Sequence, residues 1–178
     1  MVCIVVAAAV GVMVATASGA GAAPLRLPAA VFQDQEGRVL DLASLRGRVA
    51  VIVYGGRTGL DRHVAWGRRL DAELRARGVY RQDEPPAARP VWILAVAQMG
   101  GIPGAFREML RAFIRPHVEA GHSLWLDWDN VLSTAFGGRD GDSTVLVADR
   151  EGEVQLVAGG LPEGTVFHTV SETVRRVE

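Results

Sequence analysis

Residues 47–70 read GRVAVIVYGGRTGLDRHVAWGRRL, and the change of pattern inside this stretch decides the fold. Val49-Ala-Val-Ile-Val-Tyr54 is a continuous, largely β-branched run without polar alternation, which fits a strand buried on both faces of a central sheet. Directly after it, Thr58-Gly-Leu-Asp61 has the spacing of a capping box, with Thr58 at the N-cap and Asp61 three residues later. A helix is predicted to start there. Leu60, Val64, Gly67, Leu70 and Leu74 then recur at intervals of three and four, one apolar stripe on a helix that ends near Gly78.

Working outward, the two short apolar runs flanking Glu36-Gly37 read as a β-hairpin ahead of the central strand. Pro85, Pro86 and Pro90 mark a surface loop before a second buried strand, Val91–Ala97. Gly100-Gly-Ile-Pro-Gly104 breaks the chain, and a helix from Ala105 follows with Phe106, Met109, Leu110 and Phe113 on one side, stopped by Pro116. Ser123–Leu126 is a short strand, and Asp129 caps a short helix running to Phe136. Thr144–Ala148 and Val154–Val157 make a hairpin across Arg150-Glu-Gly152, and a last helix spans about Pro162 to Val177. Alternating strands and helices require crossovers and a sheet covered on both sides, so the fold class is an α/β three-layer sandwich with a central mixed sheet and an N-terminal hairpin extension.

The chain has 178 residues, enough for one domain, and a formal charge of -1, so no net field draws it to nucleic acid. All nineteen of its cationic side chains are arginine, which excludes a lysine Schiff base or a P-loop lysine. Its one cysteine, Cys3, closes no internal disulfide and builds no thiolate metal cage. The segment 1–23, MVCIVVAAAVGVMVATASGAGAA, is uncharged, apolar to Val14 and then rich in small residues. It reads as a secretory signal, with an uncleaved membrane anchor as the alternative, ahead of a single domain over 24–178. The expected address is therefore periplasmic or secreted, with membrane contact only through an uncleaved N-terminal segment.

Two stretches carry a resemblance. GRVAVIVYGGRTGLDRHVAWGRRL is similar to the part of periplasmic thioredoxin-like and redoxin proteins where a central strand runs into a CxxC motif at a helix start. GDSTVLVADREGEVQLVAGG, residues 141–160, resembles the part where those proteins carry a cis-proline loop, a strand, a turn and a second strand. The resemblance implies a thioredoxin-like sandwich and places the two motif cysteines at Gly59 and Arg62 and the lost cis-proline at Ser143. It therefore implies no thiol-disulfide exchange and no thiol peroxidase chemistry, since both need a helix-terminal thiolate. Gly56-Arg57-Thr58, Ile102-Pro103-Gly104 and Ser143 through Asp149 further resemble the YtfJ-type periplasmic family, which carries an address but no transferable reaction.

No catalytic residue and no cofactor is assigned. Arg57, Thr58 and Arg62 form a candidate site for a small anion or a protein partner, because a helix N-terminus and adjacent guanidiniums favour negative charge; the bland reading of Thr58 and Asp61 is the cap itself. His63, His117, His122 and His168 lack metal-ligand spacing, and the tempting set His122, Asp127, Asp129 is read as a turn and a cap, so no metal is expected. Asp140-Gly-Asp142 is read as a turn. Trp66 and Trp128 are the tryptophans expected to present a face to a ligand. Two readings follow: a binding module on a thioredoxin-like fold, or an enzyme with non-thiol chemistry at the same surface.

Overall fold

The run at Val49 is strand β3 (Val49–Gly55), and every one of its residues is buried. The computed structural model describes residues 23–118, 122–138 and 141–178, so Cys3, nearly all of the N-terminal apolar segment and Asp140 lie outside the described residues. The predicted hairpin is β1 (Val31–Asp34) and β2 (Val39–Asp41). After β3 come α1 (Leu60–Ala76), β4 (Val91–Gln98), α2 (Gly104–Ile114), β5 (Leu124–Asp127), α3 (Val131–Phe136), β6 (Thr144–Ala148), β7 (Val154–Gly159) and α4 (Gly164–Val177).

The seven strands form one mixed sheet in the order β2-β1-β5-β4-β3-β6-β7. β3, β4 and β5 run parallel, with Val49 opposite Val91 and Ala95 opposite Leu124. β6 joins β3 antiparallel, Ile52 against Leu146, and β1 closes antiparallel on β5. The β3-α1-β4 and β4-α2-β5 crossovers step in the same direction across the sheet, so right-handed connections put α1 and α2 on one face.

Alternate residues of β3 feed two layers. Val49, Val51 and Val53 pack with Trp66, Leu70 and Leu74 of α1 and with Val170 and Val174 of α4. On the other side Ala50, Ile52 and Tyr54 pack with Leu132 of α3 and with Leu42 and Leu45 of a 3₁₀ turn after the hairpin. A third cluster joins Ala97, Leu124, Leu126 and Trp128 to Ile114 of α2. The three-layer α/β sandwich expected from the sequence is the fold.

Several local readings need correction. Thr58 does not cap α1: a 3₁₀ turn over Arg57–Gly59 intervenes and Gly59 occupies the N-cap with no side-chain bond. The buried line of α1 is His63, Trp66, Leu70 and Leu74, while Val64 is 41% exposed. That rotation is set by Trp66, whose indole Nε1 donates to the Gly160 carbonyl at 2.9 Å and whose ring sits 5.9 Å from that of Phe167. Trp66 and Trp128 are therefore core side chains, not ligand-facing ones. Asp127, rather than Asp129, serves α3, accepting from the backbone N–H groups of Val131 and Leu132, both at 3.0 Å.

The apolar stripe of α2 faces largely outward. Phe106, Met109 and Phe113 are 52%, 63% and 68% exposed. Ile114 and Leu110 hold the inner side, flanked by arginines: Arg111 donates to Gln33 Oε1 at 2.7 Å, the exposed Arg115 just past the helix pairs with Glu36 at 3.1 Å, and the Arg107 guanidinium lies 5.0 Å from the Trp128 ring centre.

Candidate functional site

β3 ends in Gly55-Gly56, and the chain then makes its 3₁₀ turn into α1. Gly59 N–H donates to the Gly56 carbonyl at 3.0 Å. Across from this turn lies the segment 141–143 that leads into β6. The two approach so closely that a Cβ built on Gly55 would sit 2.4 Å from the Asp142 carbonyl oxygen and 2.6 Å from His63 Nε2. A Cβ on Gly59 would lie 3.2 Å from the same nitrogen and 3.6 Å from the Gly141 carbonyl oxygen. Proximity, not an unusual backbone angle, requires glycine at position 55 and leaves position 59 tight.

The object they make room for is His63. It is wholly buried in the first turn of α1, and neither ring nitrogen has a hydrogen-bond partner among the described residues. Burial, and secondarily the Arg62 guanidinium, depress its pKa to about 4, so the imidazole is neutral near pH 7. Ser143 is likewise buried, and its Oγ is unpartnered among the described residues. Its carbonyl accepts from Gly160 N–H at 3.0 Å, which ties the start of β6 to the end of β7.

Arg62 closes the junction from outside, donating to the Gly141 carbonyl and lying 3.4 Å from the Asp142 carboxylate. Both members of that pair are about half exposed, so its contribution is at most about 1 kcal/mol. Arg57 and Thr58 are exposed, and no hydrogen bond or ion pair of the Arg57 guanidinium occurs among the described residues. Of the three candidate anion ligands, then, Arg62 is engaged with the neighbouring segment, whereas Arg57 and Thr58 face outward from the helix start.

The other candidates do not gather. The Asp127 carboxylate is taken up by backbone donors, Asp129 lies 3.7 Å from Arg107, and the His122 carbonyl accepts from Gln35 Nε2 at 3.1 Å. Among the described residues no three metal-ligating side chains cluster. Likewise, none of the described helices is long and apolar enough to cross a membrane.

Two features escaped sequence reasoning. In sequence His63 is one of four histidines without metal-ligand spacing; the available signal is its position four residues after Gly59, one helical turn into α1. Asp34, inside the hairpin, is wholly buried and its carboxylate accepts from the backbone N–H groups of Glu36 and Arg38, at 2.9 and 2.8 Å. An aspartate before a turn is the signal for that role.

No protein-family model matches the chain, and no curated protein matches it in sequence. Solved structures do. A thiol:disulfide interchange protein DsbE from Chlorobium tepidum is 16% identical with a TM-score of 0.58, over 86% of this chain and 96% of that one. A protein disulfide isomerase from Bacteroides thetaiotaomicron is 18% identical with a TM-score of 0.58, over 94% and 92%. The exposed lipoprotein thioredoxin Etrx1 of Streptococcus pneumoniae is 15% identical with a TM-score of 0.52, over 82% and 98%. At these identities the likeness speaks for architecture alone, and it establishes that this chain has the thioredoxin-like fold.

Proposed function

We propose that the chain is an exported thioredoxin-like domain that works by binding a partner or a small anion, without thiol catalysis. The observation that carries the reading is the junction of α1 with residues 141–143. A thiol oxidoreductase needs a thiolate at the helix start and a second thiol to resolve the mixed disulfide. The single cysteine of the chain is at position 3, and at the helix start stand Gly59 and Arg62, with Ser143 across from them. Behind them, His63 fills the space against Gly55 and Gly59.

In this reading Gly59 and Arg62 stand at the former CxxC positions and Ser143 at that of the cis-proline. Arg57 and Thr58, exposed at the start of α1, supply the surviving polar surface. The N-terminal segment supplies the address, periplasmic or secreted, in keeping with the likeness to an exposed lipoprotein thioredoxin; the YtfJ-type resemblance of Gly56-Arg57-Thr58 and Ile102-Pro103-Gly104 is part of this proposal and rests on the sequence alone. The enzyme alternative lacks support: Ser143 is buried, and His63 is walled off from solvent.

The test is direct. Purified protein beginning at Pro24 is assayed for insulin reduction and peroxide consumption with thiol reductants, and the full chain is fractionated after expression in a Gram-negative host. The expected result is no turnover above buffer and recovery in the periplasmic or membrane fraction. Robust turnover, or retention in the cytosol, overturns the proposal.

A further inference from the structure

We infer that the junction behind Arg62 is a closed carboxylate-binding site, with Asp142 as its built-in competitor. Two buried side chains there lack a hydrogen-bond partner among the described residues, His63 at both ring nitrogens and Ser143 at Oγ. Buried polar groups left unsatisfied are few in a native fold, and a bound ligand is one thing that accounts for them. The two lie side by side. Gly55 continues the series Val49, Val51 and Val53 that faces α1, and the register that pairs Tyr54 with Thr144 extends to Gly55 beside Ser143. His63 Nε2 lies over the same Gly55, 2.6 Å from where a Cβ would stand, and 3.2 Å from the corresponding point on Gly59, the N-cap of α1. The ring nitrogen is thus aimed at the start of a 17-residue helix that has no side-chain cap.

The donors set the sign of the ligand. Ser143 offers a hydroxyl, neutral His63 one N–H, Arg62 its guanidinium, and the start of α1 the positive end of a helix dipole. What Arg62 already holds sets the class: it donates to the Gly141 carbonyl and stands 3.4 Å from the Asp142 carboxylate, so a carboxylate of the chain itself competes for this guanidinium. Both members of that pair are about half exposed, and so loose a contact yields to an incoming carboxylate. Displacing Asp142 frees the side chain that closes the junction from outside and gives access to Ser143 and His63. Asp142, together with Asp61 in the first turn of α1, disfavours a second negative charge, which selects a monoanion over a dianion such as sulfate. Neither nitrogen of His63 is engaged, so no hydrogen bond holds its tautomer; a carboxylate oxygen at Nε2 draws the proton to that nitrogen.

The inference rests on the binding reading above and names the ligand class of its site. The probe is acetate, titrated near neutral pH and at constant ionic strength into the nitrogen-15-labelled full chain, with acetamide as the neutral control; the His63 signals are those missing from His63→Leu. The ring nitrogens of His63 should shift saturably toward the form protonated at Nε2, and acetamide should leave them in place. Asp142→Asn removes the internal competitor and should tighten acetate binding by up to about fivefold. Arg62→Gln should weaken it about tenfold or more, and Ser143→Ala severalfold. Asp142 is an exposed side chain, so its variant keeps the fold and carries the test even where another variant does not. An acetate response no larger than that of acetamide, no tightening in Asp142→Asn, or tighter binding of sulfate than of acetate overturns the inference. Those outcomes leave thiol turnover and fractionation untouched, and only turnover or cytosolic retention refutes the underlying reading.

Discussion

Replacing His63 with leucine should remove an acid-sensitive contribution to stability. In the folded chain the imidazole titrates at about 4, against 6.5 for an ordinary histidine. Between those values the unfolded chain binds a proton that the folded chain does not, so stability falls as pH drops through this window and is level above and below it. The full difference corresponds to about 3 kcal/mol, of which about 2.5 kcal/mol is lost between about pH 7.5 and about pH 4.5. Burial supplies most of the effect and Arg62 adds to it. Urea unfolding of wild type and His63→Leu at both pH values isolates the effect, because carboxylates and the three other histidines are common to both proteins. The variant should be at least as stable near neutrality, since two unpartnered buried nitrogens are removed. Its loss on acidification should be smaller by about 2.5 kcal/mol. Equal losses in the two proteins would mean that His63 gains a partner or solvent in the folded state, and would refute the buried-wedge account.

Gly55→Ala should destabilise by about 1–3 kcal/mol, because its Cβ collides with the Asp142 carbonyl and the His63 ring; a melting temperature within a degree of wild type would contradict that geometry. Asp127→Ala leaves the Val131 and Leu132 N–H groups without their acceptor, and chemical denaturation should register a loss of about 1–2 kcal/mol. Asp129→Ala, at an exposed position whose pairing with Arg107 is loose, should change stability by no more than about 0.5 kcal/mol in the same assay. For the anion hypothesis, sulfate should raise the melting temperature of wild type more than that of Arg57→Ala/Arg62→Ala; equal shifts would dismiss the site.

The central strand, its helix and the closing hairpin were legible because each is a continuous pattern: Val49–Tyr54 without polar interruption, Thr144–Ala148 ahead of a glycine turn. What the sequence hid depended on contacts between distant segments. Thr58 and Asp61 have capping-box spacing, but a 3₁₀ turn over Arg57–Gly59, facing residues 141–143, moves the helix start to Leu60. The stripe on α2 was legible as a stripe, yet its direction was not, because it is Ile114 and Leu110 that pack with Ala97, Leu124 and Leu126 of β4 and β5, contacts that only the folded sheet supplies. The candidate site was legible only as a list of residues around one helix start. That a histidine lies beneath it, filling space left by two glycines, depends on a register no local pattern reveals.

The placement of β3 also fixes how the molecule opens. All seven of its residues are buried and its two neighbours pair with it along most of its length, whereas the hairpin joins β5 through only two register pairs, Gln33 with Leu126 and Asp34 with Trp125. Amide protons of Val51, Ile52 and Val53 can therefore exchange with solvent only when the whole domain unfolds, while those of Val31 to Asp41 are released by local opening of the edge. Hydrogen exchange at β3 thus reads the global free energy of the fold, and the hairpin reads how far one margin of the sheet can come loose while the rest stays closed.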